Sequence, residues 1–154
     1  MDAESKMEFS MKPIGVIHTP FKEKSETPIQ FSRSNALGEI ELFPKYEQGL
    51  ESIEGLSHLI LLYVFHEALD CQDLLVKPFL DEQLHGVFAT RSYRRPNPIG
   101  FSVVRLIERK GLRLQIQWVD MLDDTPLLDI KPYVPEFDVH TVDKIGWYAN
   151  RTYK

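Results

Sequence analysis

Cysteine is almost missing: Cys71 stands alone in 154 residues, so no intrachain disulfide can form and no second thiol is present to complete a thiolate metal site. Cys71 reads as buried filler rather than as a nucleophile. Long apolar stretches are missing too. Runs such as Leu59 to Phe65 are far too short to cross a bilayer, and the opening Met1-Asp2-Ala3-Glu4 has neither the basic nor the apolar region of a secretory signal. A cytoplasmic protein without membrane contact is expected. Positive charge is in deficit, with 18 Lys and Arg against 23 Asp and Glu and a formal charge of -5. That balance excludes a broad electropositive coat for nucleic acid, and no DNA partner is expected. A focused basic site on a compact RNA loop stays open. The glycine fingerprint of dinucleotide sites, the lysine-ended phosphate loop and the glycine-flanked serine are all absent. His18, His58, His66, His85 and His140 are too scattered for a local metal motif, so no metal is expected.

With 43 % hydrophobic residues the chain can build one sizeable core and is short for two. Residues 1–12 are polar and read as a flexible tail in which Phe9 can dock on the body. Pro13 to Phe21 reads as a short strand ending in a turn, and Gly38 to Phe43, alternating polar and apolar, as a half-buried strand. Between Lys45 and Leu56 the spacing of Tyr46, Leu50 and Ile53 predicts one short helix ending at Gly55. Leu59 to Phe65 is continuously apolar and rich in β-branched and aromatic side chains, which suits a strand covered on both sides. Leu74 to Val76 and Gly86 to Ala89 are candidate short strands. Phe101 to Ile107 and Leu112 to Val119 read as a hairpin turning through Glu108-Arg109-Lys110-Gly111, with Leu112, Leu114, Ile116 and Trp118 facing the core. The expected fold is mainly β: a small closed or strongly curved antiparallel barrel with one or two short helices, closure being the way a small sheet protects its edges.

Three stretches can carry chemistry. The first is Arg91-Ser92-Tyr93-Arg94-Arg95-Pro96-Asn97-Pro98-Ile99-Gly100, where three guanidinium forks sit on a backbone stiffened by two prolines, a combination suited to phosphate or carboxylate. A surface turn with solvated arginines is the alternative. The second, His66-Glu67, follows the buried strand directly. His66 can orient an adenine or amino-acid group or be a satisfied structural histidine, and Glu67 can meet an ammonium group or be a solvated loop acid. The third runs from Asp120 to Tyr133. Asp129 and Lys131 are two apart and share one face of an extended backbone, whereas Asp120 and Asp123 read better as turn stabilisers. Trp118 and Tyr133 can stack on a base, with core packing the stronger reading for Trp118.

Taken together, Ile14-Gly15-Val16-Ile17-His18-Thr19-Pro20-Phe21, Gly55-Leu56-Ser57-His58-Leu59, Val64-Phe65-His66-Glu67, Phe88-Ala89-Thr90-Arg91-Ser92, Arg95 to Gly100, and Thr125-Pro126 with Asp129-Ile130-Lys131-Pro132-Tyr133 resemble the TrmO family, also called TsaA-like or VirR-like. The blocks span residues 13–137, the expected barrel domain. Residues 138–154 would form a tail packing on the barrel or on a dimer partner. The resemblance implies a dimeric β-barrel that binds S-adenosyl-L-methionine and methylates N6 of threonylcarbamoyl-adenosine 37 in a tRNA anticodon loop. It implies cofactor contacts at Pro28, Ile29 and Gln30, at His66 and Glu67, at Arg91, at Phe101, Ser102 and Val103, and at Asp129, Ile130, Lys131 and Pro132. Arg94, Arg95, Asn97, Lys131 and Tyr133 would meet RNA or, for Arg94 and Arg95, fix the loop. Members with an added carboxyl-terminal domain offer tRNA more surface. Competing readings are a non-catalytic S-adenosylmethionine or nucleotide sensor and an RNA-binding or structural dimerisation module. Two positions depart from the family pattern: Thr19, where a smaller residue is common, and Asp124, where glycine is usual and a left-handed turn suits glycine better.

Overall fold

A computed structural model describes residues 4–23, 34–70, 72–78 and 81–150; Pro28, Ile29, Gln30 and Cys71 lie outside them. Six strands close into an antiparallel barrel: β1 (Gly15–His18), β2 (Leu37–Leu42), β3 (His58–Val64), β6 (Ile99–Lys110), β7 (Arg113–Gln117) and β8 (Thr125–Pro132). Round the barrel the order is β1-β2-β7-β6-β3-β8. A separate two-stranded ribbon, β4 (Leu75–Val76) with β5 (His85–Gly86), sits in the long connection between β3 and β6. One α-helical turn, α1 (Pro135–Asp138), follows β8.

The inward side chains alternate as a pleated strand requires. Ile17, Ile40, Leu42, Leu59, Leu61, Val104, Leu114, Ile116 and Leu127 form the barrel core. Fully burying each such side chain contributes roughly 1.5–3 kcal/mol, so this interior carries much of the fold's stability. The continuously apolar β3 is paired with β6 on one side and β8 on the other. Its pairing with β8 shifts register between Leu62 and Tyr63, leaving Leu128 as the extra residue of a bulge.

Several expectations are corrected. Residues 45–56 form two 3-10 segments, Pro44–Leu50 and Ile53–Gly55, separated by Ser52 at φ 74°. Proline at the start, glycine within and a left-handed residue between them leave no uninterrupted run for an α-helix. The strand expected at Gly86 to Ala89 stops at Gly86, and Val87–Ala89 is a 3-10 turn. The hairpin turn is tighter than expected. Strand β6 continues through Lys110, which pairs with Arg113, so the loop is Gly111-Leu112 with Gly111 at φ 62°. A positive φ at the first loop position is what a two-residue II′ turn demands. Phe9 does not dock; it is 82 % exposed. Trp118 does not continue the inward alternation of β7. It takes φ 76°, and Val119, fully buried, occupies the inward place instead.

Candidate functional site

Strand direction decides which loops meet. Tyr63 on β3 pairs with Gly100 on β6 and Leu127 on β8, and Ile17 on β1 pairs with Thr125. The exits of β1 and β3 and the entries of β6 and β8 therefore share one rim, which gathers His66, Glu67, the 90–98 loop and the 118–124 loop.

The 90–98 loop is braced from within. Thr90 Oγ1 donates to Val87 O at 2.8 Å and accepts from Ser92 N at 3.2 Å. The Arg95 guanidinium donates from Nη1 to the carbonyls of Thr90 and Ser92, both at 3.0 Å, so Arg95 fixes the loop. Arg94 is exposed, packs over the Tyr93 ring and pairs with Asp73 at 3.2 Å. Asn97 accepts from Ile99 N through its backbone carbonyl at 2.7 Å and is itself exposed. Phe65 N donates to Pro98 O at 2.8 Å, and the rings of Tyr63, Phe65 and Tyr93 meet edge to face. The strand exit carrying His66 and Glu67 is thereby fastened to the arginine loop. The Arg91 guanidinium lies over the Phe101 ring at 5.7 Å, a cation–π geometry that holds an exposed cation against the barrel wall. From the other side, the ribbon and the carboxyl-terminal segment press on the same loop: Trp147 stacks on His85 and donates to Ala89 O at 2.7 Å.

The registers sort the remaining expected residues. Phe101 pairs with Leu62 and Leu62 with Asp129; Val103 pairs with Ile60 and Ile60 with Lys131. These two rows lie across the outer face of β6, β3 and β8. Asp129 and Lys131 do share a side and form an ion pair at 3.2 Å. Ser102 faces inward and is fully buried. Toward the opposite rim, Asp129, Ile130, Lys131 and Pro132 border a groove of about 670 Å³ floored by Leu50, Ile53 and Leu56. Tyr133 stands there beside His58, whose ring also contacts Trp118 at 5.2 Å. The expected residues thus fall into a rim group and a group lower on the barrel, linked along the outer face through Phe101, Leu62 and Asp129.

Two arrangements were not legible as sites in the sequence. The first is buried: Tyr63 OH lies 2.8 Å from Ser102 Oγ, which donates to Asp120 Oδ1 at 2.8 Å. Burial pushes the Asp120 carboxyl up to about 6, against the Ser102 hydrogen bond and the Arg91 charge, which pull it down. Burial likewise raises the Tyr63 hydroxyl. The sequence expectation of a turn-stabilising Asp120 is corrected accordingly. The second is a surface cluster on the same rim. His18 Nε2 meets Glu41 at 3.0 Å, and its Nδ1 approaches Asp124 at 3.4 Å and Asp123 at 3.7 Å. Among the described residues, His18, Asp123 and Asp124 have the mutual spacing of metal ligands. Asp123, however, already accepts from Thr19 N at 2.9 Å and pairs with Lys22 at 2.5 Å. The hydrogen bond to Glu41 and the neighbouring acids raise the His18 pKa despite partial burial, so the cluster locks the turn with its own cations. Asp124 takes φ 63°, the left-handed conformation in which aspartate is tolerated better than most side chains.

Comparison with known proteins shows the family. Residues 16–139 match the family model described as the tRNA-methyltransferase O N-terminal domain. A Pyrococcus abyssi protein named for S-adenosyl-L-methionine binding is 56 % identical over 144 residues, covering 93 % of this chain and 78 % of its own. The tRNA (adenine(37)-N6)-methyltransferase of Escherichia coli K12 is 40 % identical over 137 residues, covering 82 % of this chain and 58 % of its own. A crystal structure of TrmO superposes with a TM-score of 0.77 at 44 % identity over 91 % of this chain, and TrmO from Pseudomonas aeruginosa with 0.75 at 40 % over 92 %. The chain spans 64 % and 63 % of those two solved chains. With the matched region running from β1 through α1, the chain belongs to the tRNA-methyltransferase O N-terminal domain family.

Proposed function

We propose that the protein is an S-adenosyl-L-methionine-dependent methyltransferase acting on tRNA, and that its acceptor is N6 of threonylcarbamoyl-adenosine 37 in the anticodon loop. The observation that carries this reading is the fastening of the His66-Glu67 exit to the Arg91 loop on one rim through the Phe65 to Pro98 hydrogen bond. Family membership supports it. The donor set suits the cofactor: Arg91 offers a fork for the methionine carboxylate, Glu67 an anion for its ammonium, His66 a hydrogen bond for the adenine and Phe101 an aromatic wall. When bound, S-adenosylmethionine supplies an electrophilic methyl on a sulfonium leaving group. The rim residues hold the donor, exclude water and align the acceptor, and alignment is where most of the rate is to be gained. Pro28, Ile29 and Gln30 belong to this proposal as further cofactor contacts. Arg94, Asn97, Lys131 and Tyr133 belong to it as RNA contacts, with a cytoplasmic location implied by the substrate.

The same reading makes the protein a homodimer with the cofactor near the subunit interface. Ile99 and Phe101 are exposed on the outer face of β6, and Leu74, Leu75, Leu84 and Phe88 are more than 60 % exposed around the ribbon. Apolar surface gathered in this way marks a contact region.

The test is transfer of labelled methyl to total tRNA with native anticodon-loop modifications, followed by nucleoside identification, for the wild type and Arg91→Ala. Label on N6 of threonylcarbamoyl-adenosine, with cofactor affinity lowered at least about tenfold in the variant for loss of a charge-assisted pair, is the expected result. Cofactor binding without transfer would move the protein to the sensor reading suggested by relatives named for binding alone.

A further inference from the structure

The half-buried acid on the rim, Asp120, has no part in holding the cofactor as read above. Asp120 leaves β7 beyond the kink at Trp118, and its carboxyl turns down into the mouth of the barrel. Its single side-chain partner among the described residues is Ser102. Ser102 is fully buried and Tyr63 is 4 % exposed, so the hydrogen-bond chain reaches the carboxyl from the core side, while Asp120 itself stays partly exposed. A buried carboxylate is ordinarily compensated by an ion pair or by several donors. Here the Ser102 hydroxyl and the Asp120 backbone N–H do so, helped electrostatically by Arg91, the charged neighbour on the 90–98 loop; Tyr63 on β3 is the other titratable group that feels the acid.

The neighbouring acids are otherwise engaged. Asp129 is paired with Lys131 on the outer face, Asp123 is held by Thr19 N and Lys22, and the side chain of Asp124 is 73 % exposed. Glu67 is exposed at the strand exit.

We infer that Asp120 is the general base of the reaction, taking the proton from the acceptor nitrogen as the methyl group arrives. The inference rests on the methyltransferase reading. In the step, the nitrogen lone pair forms the new C–N bond while the C–S bond breaks and the thioether leaves with its electron pair. The nitrogen's proton passes to the Asp120 carboxylate and from there to water. Burial makes this carboxylate a stronger base than an ordinary one while leaving it ionised at neutral pH, which is what a general base requires. Ser102 and Tyr63 are positioning residues: they fix the carboxyl's orientation without touching the substrate.

The experiment uses the full chain with modified tRNA, measuring single-turnover methyl transfer against pH, cofactor affinity by calorimetry and the Asp120 carboxyl titration by carbon NMR. Asp120→Asn should lose roughly 10²–10⁴-fold in transfer rate with cofactor affinity retained. Ser102→Ala, which removes the hydrogen bond that holds the acid's titration down, should shift both the carboxyl titration and the acidic limb of the rate profile to higher pH. Transfer by Asp120→Asn at the wild-type rate overturns the inference, as does loss of cofactor affinity in that variant, which would make Asp120 a cofactor contact. An acidic limb that stays put while the carboxyl titration moves overturns it as well. A wild type that transfers no methyl sinks the methyltransferase reading itself, a result distinguishable from an active wild type with an active variant.

Discussion

At the scale of single residues, the two aspartates three positions apart on the 118–124 loop show how neighbours of one type diverge. Asp123 ties its loop to the exit of β1, accepting from Thr19 N. Asp120 is instead drawn toward the barrel interior, and burial pushes its carboxyl up to about 6. An acid whose folded pKa lies above its unfolded value binds more protons in the folded state, so stability falls as pH rises through that interval and stays lower above it. For a shift of this size the deficit is on the order of 3 kcal/mol. Asp120→Asn, which keeps the shape and removes the charge, should therefore raise the melting temperature at neutral pH and lose that advantage below the ordinary carboxylate range. Calorimetry at the two pH values checks this; an equal effect at both would show that charge burial is not the cause. The sequence contains both aspartates in plain view, but spacing along the chain carries no record of which one the barrel mouth will desolvate.

At the scale of elements, β3 and β6 bind the fold to the site. Gly100 on β6 pairs with Tyr63 on β3, and a Cβ at Gly100 would collide with the Tyr63 ring. Gly100→Ala should cost about 1–3 kcal/mol as overpacking and, by displacing the ring, loosen the Tyr63 to Ser102 hydrogen bond. A lowered denaturation midpoint together with a shifted Asp120 titration is the expected pair of readings; a lowered midpoint with the titration unmoved would separate packing from the network. The glycine ending the arginine-proline block was visible in the sequence, and its reason, contact with an aromatic ring one strand away, was not. The element types themselves were largely legible, because alternation and β-branched content are local signals. The failures are equally physical. Trp118 looked inward by parity, but Ser34 Oγ donating to Val119 O at 2.6 Å and the shared acceptor Ala36 O pull the backbone into a kink that hands the core place to Val119. That kink is imposed by a segment about eighty residues away in sequence.

At the scale of the whole molecule, closure into a barrel leaves no bare edge among the six main strands, and one group of exposed apolar side chains lies on the outer face of β6 and around the ribbon. If that surface is where two copies meet, Phe101→Glu should halve the mass in light scattering and weaken cofactor binding together, since Phe101 also carries Arg91. An unchanged mass would place the interface elsewhere. The formal charge of -5 confines any RNA contact to a local basic surface, and Arg91 and Arg94, the latter paired with Asp73, are exposed on the rim while Arg95 binds within the loop. By itself the sequence determined that the chain folds as a mainly β barrel of a recognisable family, because strand alternation, turn residues and the Arg95 to Gly100 and Asp129 to Tyr133 blocks are properties of neighbouring residues. Only the tertiary structure decided that His66 and Arg91 share a rim, that Asp129 and Phe101 share an outer face, and that Asp120 is half-buried against Ser102. Those relations depend on strand order and register, which bring together residues far apart in the chain and set the dielectric around each charge.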